Sequence, residues 1–553
     1  MHASSGSIRA NRVDIEGRSV RLAQIDWSDG VIGQVTALGP EDPRQGYLIP
    51  GFIDAHVHVE SSLLTPAEFA RVAVRHGTVA TVSDPHEIAN VLGVDGVRWM
   101  IANGDQTPFH ILFGAPSCVP ATQFETSGAR LEVREVEELL DTPGVGYLTE
   151  VMNYPGVLAG DPTLLAKIGA TLRRGYPVDG HAPGLRGEAA RAYTAAGITT
   201  DHECATLDEA EDKIRAGMRI LIREGSGARN FEALHPLISR YPGRTMLCAD
   251  DLHPTDLARG HIDRLVARAI AHGHDVFTVL QAACLTPQEH YGLHLGRLRP
   301  GDPFTAVILE DLRGVRPRRT WIDGTLLAED GVSLLPHVPV EPVNAFFADP
   351  VAAAELRVPA PETGTDKVTC RVIAAADGQL LTGCELVDLP LGEGAVQPDP
   401  DHDVLLLAVV NRYRPAPPAV AFIRGFGLTH GAIAASVAHD SHNVIGVGTD
   451  AASLARAINA VIAHRGGLAV AGDGVDVLPL PVAGLMSDAD ADQVAKGFVR
   501  LHDAVRSRLG SPLRAPFMTL SFMALLVIPS LKLSDLGLFD VEAFQFTEVV
   551  CPA

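Results

Sequence analysis

The sequence predicts an α/β fold: a closed (β/α)8 TIM-like barrel with a small flanking β-sheet domain and a C-terminal α/β domain. Three observations lead there. Eight short apolar runs lie between about residues 46 and 254, polar residues gather where each run stops, and a stretch of helical character follows each one. Such alternation builds a parallel sheet, and eight successive units close it into a barrel whose chemistry sits at the C-terminal strand ends. An open, doubly wound sheet is the alternative arrangement.

Residues 1–49 are too short for a domain, yet RANRVDIEG, SVRLAQIDW and GVIGQVTAL read as strands. A second set, DPFTAVILEDL, VRPRRTWIDG and TLLAEDG, follows the barrel. The two sets are expected to pair into one small sheet from 1–49 plus 300–345. Between them, over 50–299, the barrel strands end in LIPGFIDAHVHVE, GTVATVSDPHE, PFHILFGAPSC, GVGYLTEVMNYPG, YPVDGHAPG, GITTDHECAT, MRILIREGSG and TMLCADDLHP. The Pro-rich PHVPVEPVNAFFADP and then VPAPETGTD read as a linker. A last α/β domain fills 346–553.

Composition narrows the function classes. With 46% hydrophobic and 20% charged residues the chain should fold throughout rather than stay disordered. Its formal charge of -22 repels a phosphate backbone, which argues against nucleic acid as a partner. The seven cysteines are scattered without a CxxC pair and read as reduced, mostly buried thiols. The N-terminal MHASSGSIRANRVDIEG has no apolar core of a signal peptide, and the longest apolar runs are too short for a bilayer, so a cytoplasmic protein with no membrane partner is expected. For a soluble enzyme of this size a homo-oligomer is the default expectation.

His56 and His58 stand two apart on the first barrel strand, so both imidazoles leave the same face. Later strand ends add Glu150, His181, His202 and Asp250. Four histidines and two carboxylates exceed what one tetrahedral ion needs and suit two divalent ions with water between them. Each residue also has a plainer reading: the histidine pair as structural, His181 and His202 as hydrogen-bonded loop residues, Glu150 as a helix-start carboxylate, and Asp250 as the N-cap of a helix beginning near Pro254. Coincidence at one end of successive strands favours ligation.

PGFIDAHVHVESS, an acid at the fourth strand, single histidines at the fifth and sixth and Asp at the eighth resemble the amidohydrolase superfamily over roughly residues 46–335. More narrowly, HVHVESS, SDPHEIANVLG, EVMNYPGV, DGHAPG, CADDLHP, LTHGAIAASVAHDSHN and PSLKLSDLGLFDVE resemble its adenine deaminase family along nearly the whole chain. Many superfamily members bridge their metals with a carboxylated lysine, but none of Lys167, Lys213, Lys367, Lys496 and Lys532 ends a barrel strand. The resemblance therefore gives the bridge to Glu150, one ion to His56 and His58 and the other to His181 and His202. By the same resemblance Asp250 is expected to ligate and to shuttle a proton from the attacking water to the departing amine of adenine. It implies manganese or iron, with zinc as a third option, since these ligand types do not select among them.

Remaining candidates serve the substrate. Glu203 and His86 are candidate proton donors to the purine ring, and Asp251, Asp84 and Glu87 candidate contacts to it. Arg223 and Glu224 are explained by a mutual ion pair. Of His430, His439, Asp440 and His442 in the C-terminal domain, His439 is favoured with Ser441 as a lid contact. A different amidohydrolase reaction, such as cyclic amide hydrolysis or deacetylation, and a non-catalytic ligand-binding relative are the rival functions.

Overall fold

A computed structural model describes residues 5–362 and 365–552; the first four residues of the N-terminal segment and two of the predicted linker lie outside the described residues. The chain divides into two compact units. One holds the chain up to His86, Val97–Cys118 and Leu131–Pro339; the other holds Glu87–Gly96, Val119–Arg130 and the chain from Val340 onward. Residues 87–96 and 119–130 thus belong with the second unit although they fall inside the range the sequence assigns to the barrel.

The first unit contains the barrel. Phe52–His58, Thr78–Ser83, His110–Ala115, Val145–Val151 and Val178–Gly180 pair in parallel, in that order. Thr199 donates its amide to the Val178 carbonyl, linking the short sixth strand, Thr200–Asp201, to the fifth. Arg219–Arg223 and Thr245–Cys248 follow in parallel, and Asp250–Asp251 returns to pair with Val57 and His58, completing the ring. All eight predicted apolar runs become these strands. Thr78–Ser83 is buried at every position, as a β-branched run covered on both faces should be. Intervening helices start on side chains that satisfy their first amides: Asp161 accepts from Leu164 at 2.9 Å and Thr206 from Glu209 at 3.3 Å.

One carboxylate fastens the seam where first and last strands meet. Asp54 Oδ1 accepts the Ala249 amide at 2.9 Å, and its Oδ2 lies 2.8 Å from His261 Nε2. His261 Nδ1 in turn meets Thr78 Oγ1 at 2.8 Å. The three residues are buried.

The same unit carries an eight-stranded sheet ordered Val332–Ser333, Thr325–Glu329, Pro317–Ile322, Ala306–Leu309, Tyr47–Pro50, Gly6–Asp14, Ser19–Ser28, Val31–Pro40. Segments from before and after the barrel meet at Tyr47–Pro50 and Ala306–Leu309. Trp27 stacks on Phe304 with ring centroids 3.9 Å apart at the centre of its core.

The second unit is a ten-stranded sheet covered by the helix Ala451–Ala463, whose Leu454, Ile458 and Val461 enter a core with Val372, Leu406 and Phe422. A three-stranded sheet, Leu531–Ser534, Gly537–Asp540 and Gln545–Phe546, lies toward its end. All seven cysteines are free thiols; four are buried, but Cys384 is exposed, because it lies on a strand, Gly383–Gly392, with an open face. Among the described residues no helix is long and apolar enough to cross a membrane.

Candidate functional site

Six of the predicted ligands converge at the C-terminal end of the barrel strands. His56 Nε2 and His58 Nε2 lie 3.6 and 3.3 Å from Asp250 Oδ1. Glu150 stands between the two histidine groups: Oε1 is 3.6 Å from His58 Nε2, while Oε2 is 2.6 Å from His181 Nδ1 and 3.1 Å from His202 Nε2. The His56 and His202 rings stack at 4.2 Å. Every one of these groups is buried except His181, which is partly exposed.

The plainer readings of the two carboxylates do not hold. His253, not Asp250, stands at the N-cap position of the helix Pro254–Leu257, and Tyr154–Ala159 is capped by Asn153, whose side chain accepts from Gly156. Glu150 and Asp250 are therefore free to face the histidines.

Burial opposes ionisation of Asp250, but the Arg223 guanidinium, with His56 and His58, holds its carboxyl well below the usual carboxylate range. Glu150 is likewise held low against its burial, by His181 and His202. Deprotonated carboxylates beside imidazoles are the donor set that a divalent cation takes. Both ring nitrogens of His56 are buried, and among the described residues neither has a partner within hydrogen-bond distance, Asp250 Oδ1 standing 3.6 Å from Nε2; a cation on one of them would remove that cost. Among the described residues, the groups whose donor atoms lie within reach of one ion include four at this centre: His58, Asp84, His86 and Glu150; His56, His58 and Asp250; His56, Glu150 and His202; His181, His202 and Glu203.

The other predicted residues divide. Asp84 and His86 join the centre, with Asp84 Oδ2 3.1 Å and Glu150 Oε1 3.6 Å from His86 Nδ1, and the Asp84 carbonyl 3.2 Å from His58 Nδ1. Glu203 Oε1 approaches His202 and His181 at 3.5 and 3.6 Å. Asp251 accepts the Ser61 hydroxyl at 2.6 Å. Glu87, His439 and Ser441 fall in the second unit, where Glu87 Oε1 is 2.9 Å from His439 Nδ1 and Oε2 binds His442 Nε2. The Ala438 amide donates to His442 Nδ1 at 3.2 Å, so the other ring nitrogen carries the proton given to Glu87.

Ser441 donates to Glu125 at 2.8 Å. Burial and then the Asp440 charge push the Glu125 carboxyl up from 4.5 to about 8. A group bound more tightly to its proton in the folded state contributes stability that is complete below 4.5 and lost as pH rises through about 8. Glu125→Gln is therefore expected to gain up to about 5 kcal/mol on the native protein above about pH 8 and nothing near pH 4. Thermal melts across that range check it; equal pH slopes for the two proteins would contradict it.

One pairing read from sequence is corrected. Arg223 does not pair with Glu224: its Nη1 is 2.5 Å from Glu203 Oε1 and bonds Asp250 Oδ2, while Glu224 pairs with Arg268 at 2.8 Å. Consecutive strand residues leave opposite faces, so the two side chains diverge.

Sequence reasoning also missed the supports behind the histidines. Asp201, just before His202, accepts the Ala182 amide at 2.9 Å and the Glu203 amide at 2.8 Å. Fully buried Lys213 lies 3.2 Å from it and donates to the Ala182 carbonyl at 2.6 Å and to Glu209 at 2.9 Å. Only the Glu209–Lys213 spacing of four residues signalled this. Lys213→Met should cost about 3–5 kcal/mol, since it strands buried carboxylates; denaturant unfolding measures it, and a loss below about 1 kcal/mol would mean that the ion pair is dispensable.

Comparison with known proteins agrees with this geometry. Residues 47–327 match the amidohydrolase family, a metal-dependent class, and residues 379–545 match the adenine deaminase C-terminal domain. The chain is 56% identical to an adenine deaminase of Salinibacter ruber over 99% of each chain. It is 51% identical to one of Sulfurovum sp. (98% of this chain, 99% of the relative) and 47% identical to one of Methanosarcina acetivorans (97% and 98%). The chain belongs to the adenine deaminase family of amidohydrolases.

Proposed function

We propose that the chain hydrolyses adenine to hypoxanthine and ammonia, using two divalent ions held by His56, His58, Glu150, His181, His202 and Asp250. The convergence of these six donors around Glu150 and Asp250 in a chain of this family carries the reading. Manganese or iron suits the set, and zinc is also accommodated by imidazole and carboxylate donors. Such ions, when bound, supply Lewis acidity that makes water nucleophilic near neutral pH.

Asp250 handles the proton. As a carboxylate it takes a proton from the water that attacks C6 and returns it to the amino group that leaves. Arg223 fixes one oxygen of Asp250, leaving Oδ1 toward His56 and His58 to do this work. The ring nitrogen of adenine gains charge as the tetrahedral centre forms and needs a donor. Burial opposes ionisation of Glu203, but Arg223, with His181 and His202, holds it below the usual range. Glu203, read from the sequence as a proton donor to the ring, therefore serves instead as an acceptor for a purine N–H or amine, and His86, backed by Asp84, supplies the donor.

An ammonia-release assay over adenine, adenosine, cytosine and guanine with added manganese tests the reading. Adenine is expected to be the preferred substrate. Opening of a cyclic amide without ammonia release from adenine would replace this function with another amidohydrolase reaction, and an absence of bound metal with no turnover would favour a binding role.

A further inference from the structure

A cleft on the first unit, beside the ends of the seventh and eighth barrel strands and the helix Ile262–Ala271, has charge opposite to that of the chain as a whole. It encloses about 460 Å³. Arg229, Arg259, Arg264 and Arg268 line it against Glu224 and Asp256, so four guanidinium groups over two carboxylates leave a lining charge of +2 in a chain of formal charge -22.

The carboxylates are divided among several partners. Glu224 is 2.8 Å from Arg268, which also pairs with Glu232 outside the lining, and 3.7 Å from Arg229. Asp256 is 3.3 Å from Arg259 and also accepts the Ser226 hydroxyl at 2.6 Å. Arg264 has neither an ion pair nor a side-chain hydrogen bond among the described residues. Its stem lies against bare backbone at Gly260, where a Cβ would come within 2.3 Å of Arg264 Nε.

We propose that this cleft binds the phosphate group of a small phosphorylated metabolite. A phosphomonoester carries about -1.5 to -2 charges near pH 7, matching the lining. Guanidinium forks hold phosphate oxygens in pairs, which ammonium groups cannot do. The volume falls in the range of about 300–1,000 Å³ typical of small-molecule sites and exceeds what a lone phosphate fills. The wall includes Ala249 and Leu252, which bracket Asp250 and Asp251, so an occupant bears directly on the strand end that presents Asp250. Binding is read without turnover, so the proposal stands apart from the adenine reading.

Titration calorimetry on the full, metal-loaded chain in phosphate-free buffer tests it, with ribose 5-phosphate, inorganic phosphate and ribose as probes. The two phosphate-bearing probes are expected to saturate one site per chain, and ribose to give no heat. Tighter binding of ribose 5-phosphate assigns the site to an ester; equal binding assigns it to the free ion, and both keep the phosphate site. The variant R259A/R264A should weaken binding at least about 10-fold with an unchanged melting temperature. If that variant melts early, R264Q alone, an exposed single change, is measured instead. No saturable heat from either phosphate-bearing probe overturns the proposal, as does binding that survives these substitutions, the behaviour of an anion held at the metal donors.

Discussion

Asp250→Asn is expected to lower the rate of adenine deamination by about 10²- to 10⁴-fold while leaving fold and metal content nearly intact. The reason lies in both side chain and backbone. Asparagine keeps an oxygen toward His56 and His58 but cannot take up the proton that the carboxylate would carry. Asp250 also sits at φ 60°, a left-handed conformation that asparagine tolerates and most other residues do not. Asp250→Ala should therefore add backbone strain to the loss of chemistry, making asparagine the cleaner probe. Steady-state rates with metal analysis of the same sample decide the matter. A near-normal rate would remove Asp250 from the proton path.

Glu150→Gln should act on the metals instead. Among the described residues Glu150 is the one carboxylate that reaches both histidine groups, with one oxygen toward His58 and the other between His181 and His202. A neutral amide presents a single weak oxygen donor, so metal binding should weaken by at least about 10- to 100-fold and stoichiometry fall below that of the parent. The fold should persist, because the Glu150 carbonyl still accepts the Ser117 hydroxyl. Titration of the stripped protein with manganese gives the number. Unchanged stoichiometry would mean that Glu150 is a bystander.

Much of the barrel was legible in the sequence because strand ends advertise themselves: apolar, β-branched runs stop at polar residues, and the ring closes those stops onto one rim. His56 and His58 needed only the two-residue period of a strand, and His181 and His202 were visible as lone imidazoles where short runs end. Arg223 was misread because its true partners, Asp250 and Glu203, become neighbours only when the strands pair side by side, whereas Glu224 is adjacent in sequence yet faces away. The same limit hid Glu87. It follows His86 directly, but its partners His439 and His442 lie more than 350 residues further along, and nothing local encodes that meeting. Lys213 was set aside once it failed to end a strand; its buried place beneath Asp201 follows from the packing of a helix on the barrel, which a charged residue does not announce.

The way Asp54 joins the first barrel strand to the Ala249 amide bears on how the molecule fails. That amide belongs to the residue immediately before Asp250, and Asp54 is two residues before His56. This latch, beside the backbone pairing of Asp250 and Asp251 with Val57 and His58, thus helps set the offset between the strand that presents the imidazole pair and the strand that presents the base. If heat loosens the latch, the barrel need not melt for chemistry to stop; a slip at this junction separates the reacting groups, and hydrogen exchange at Ala249 should follow the decay of activity more closely than exchange elsewhere in the ring.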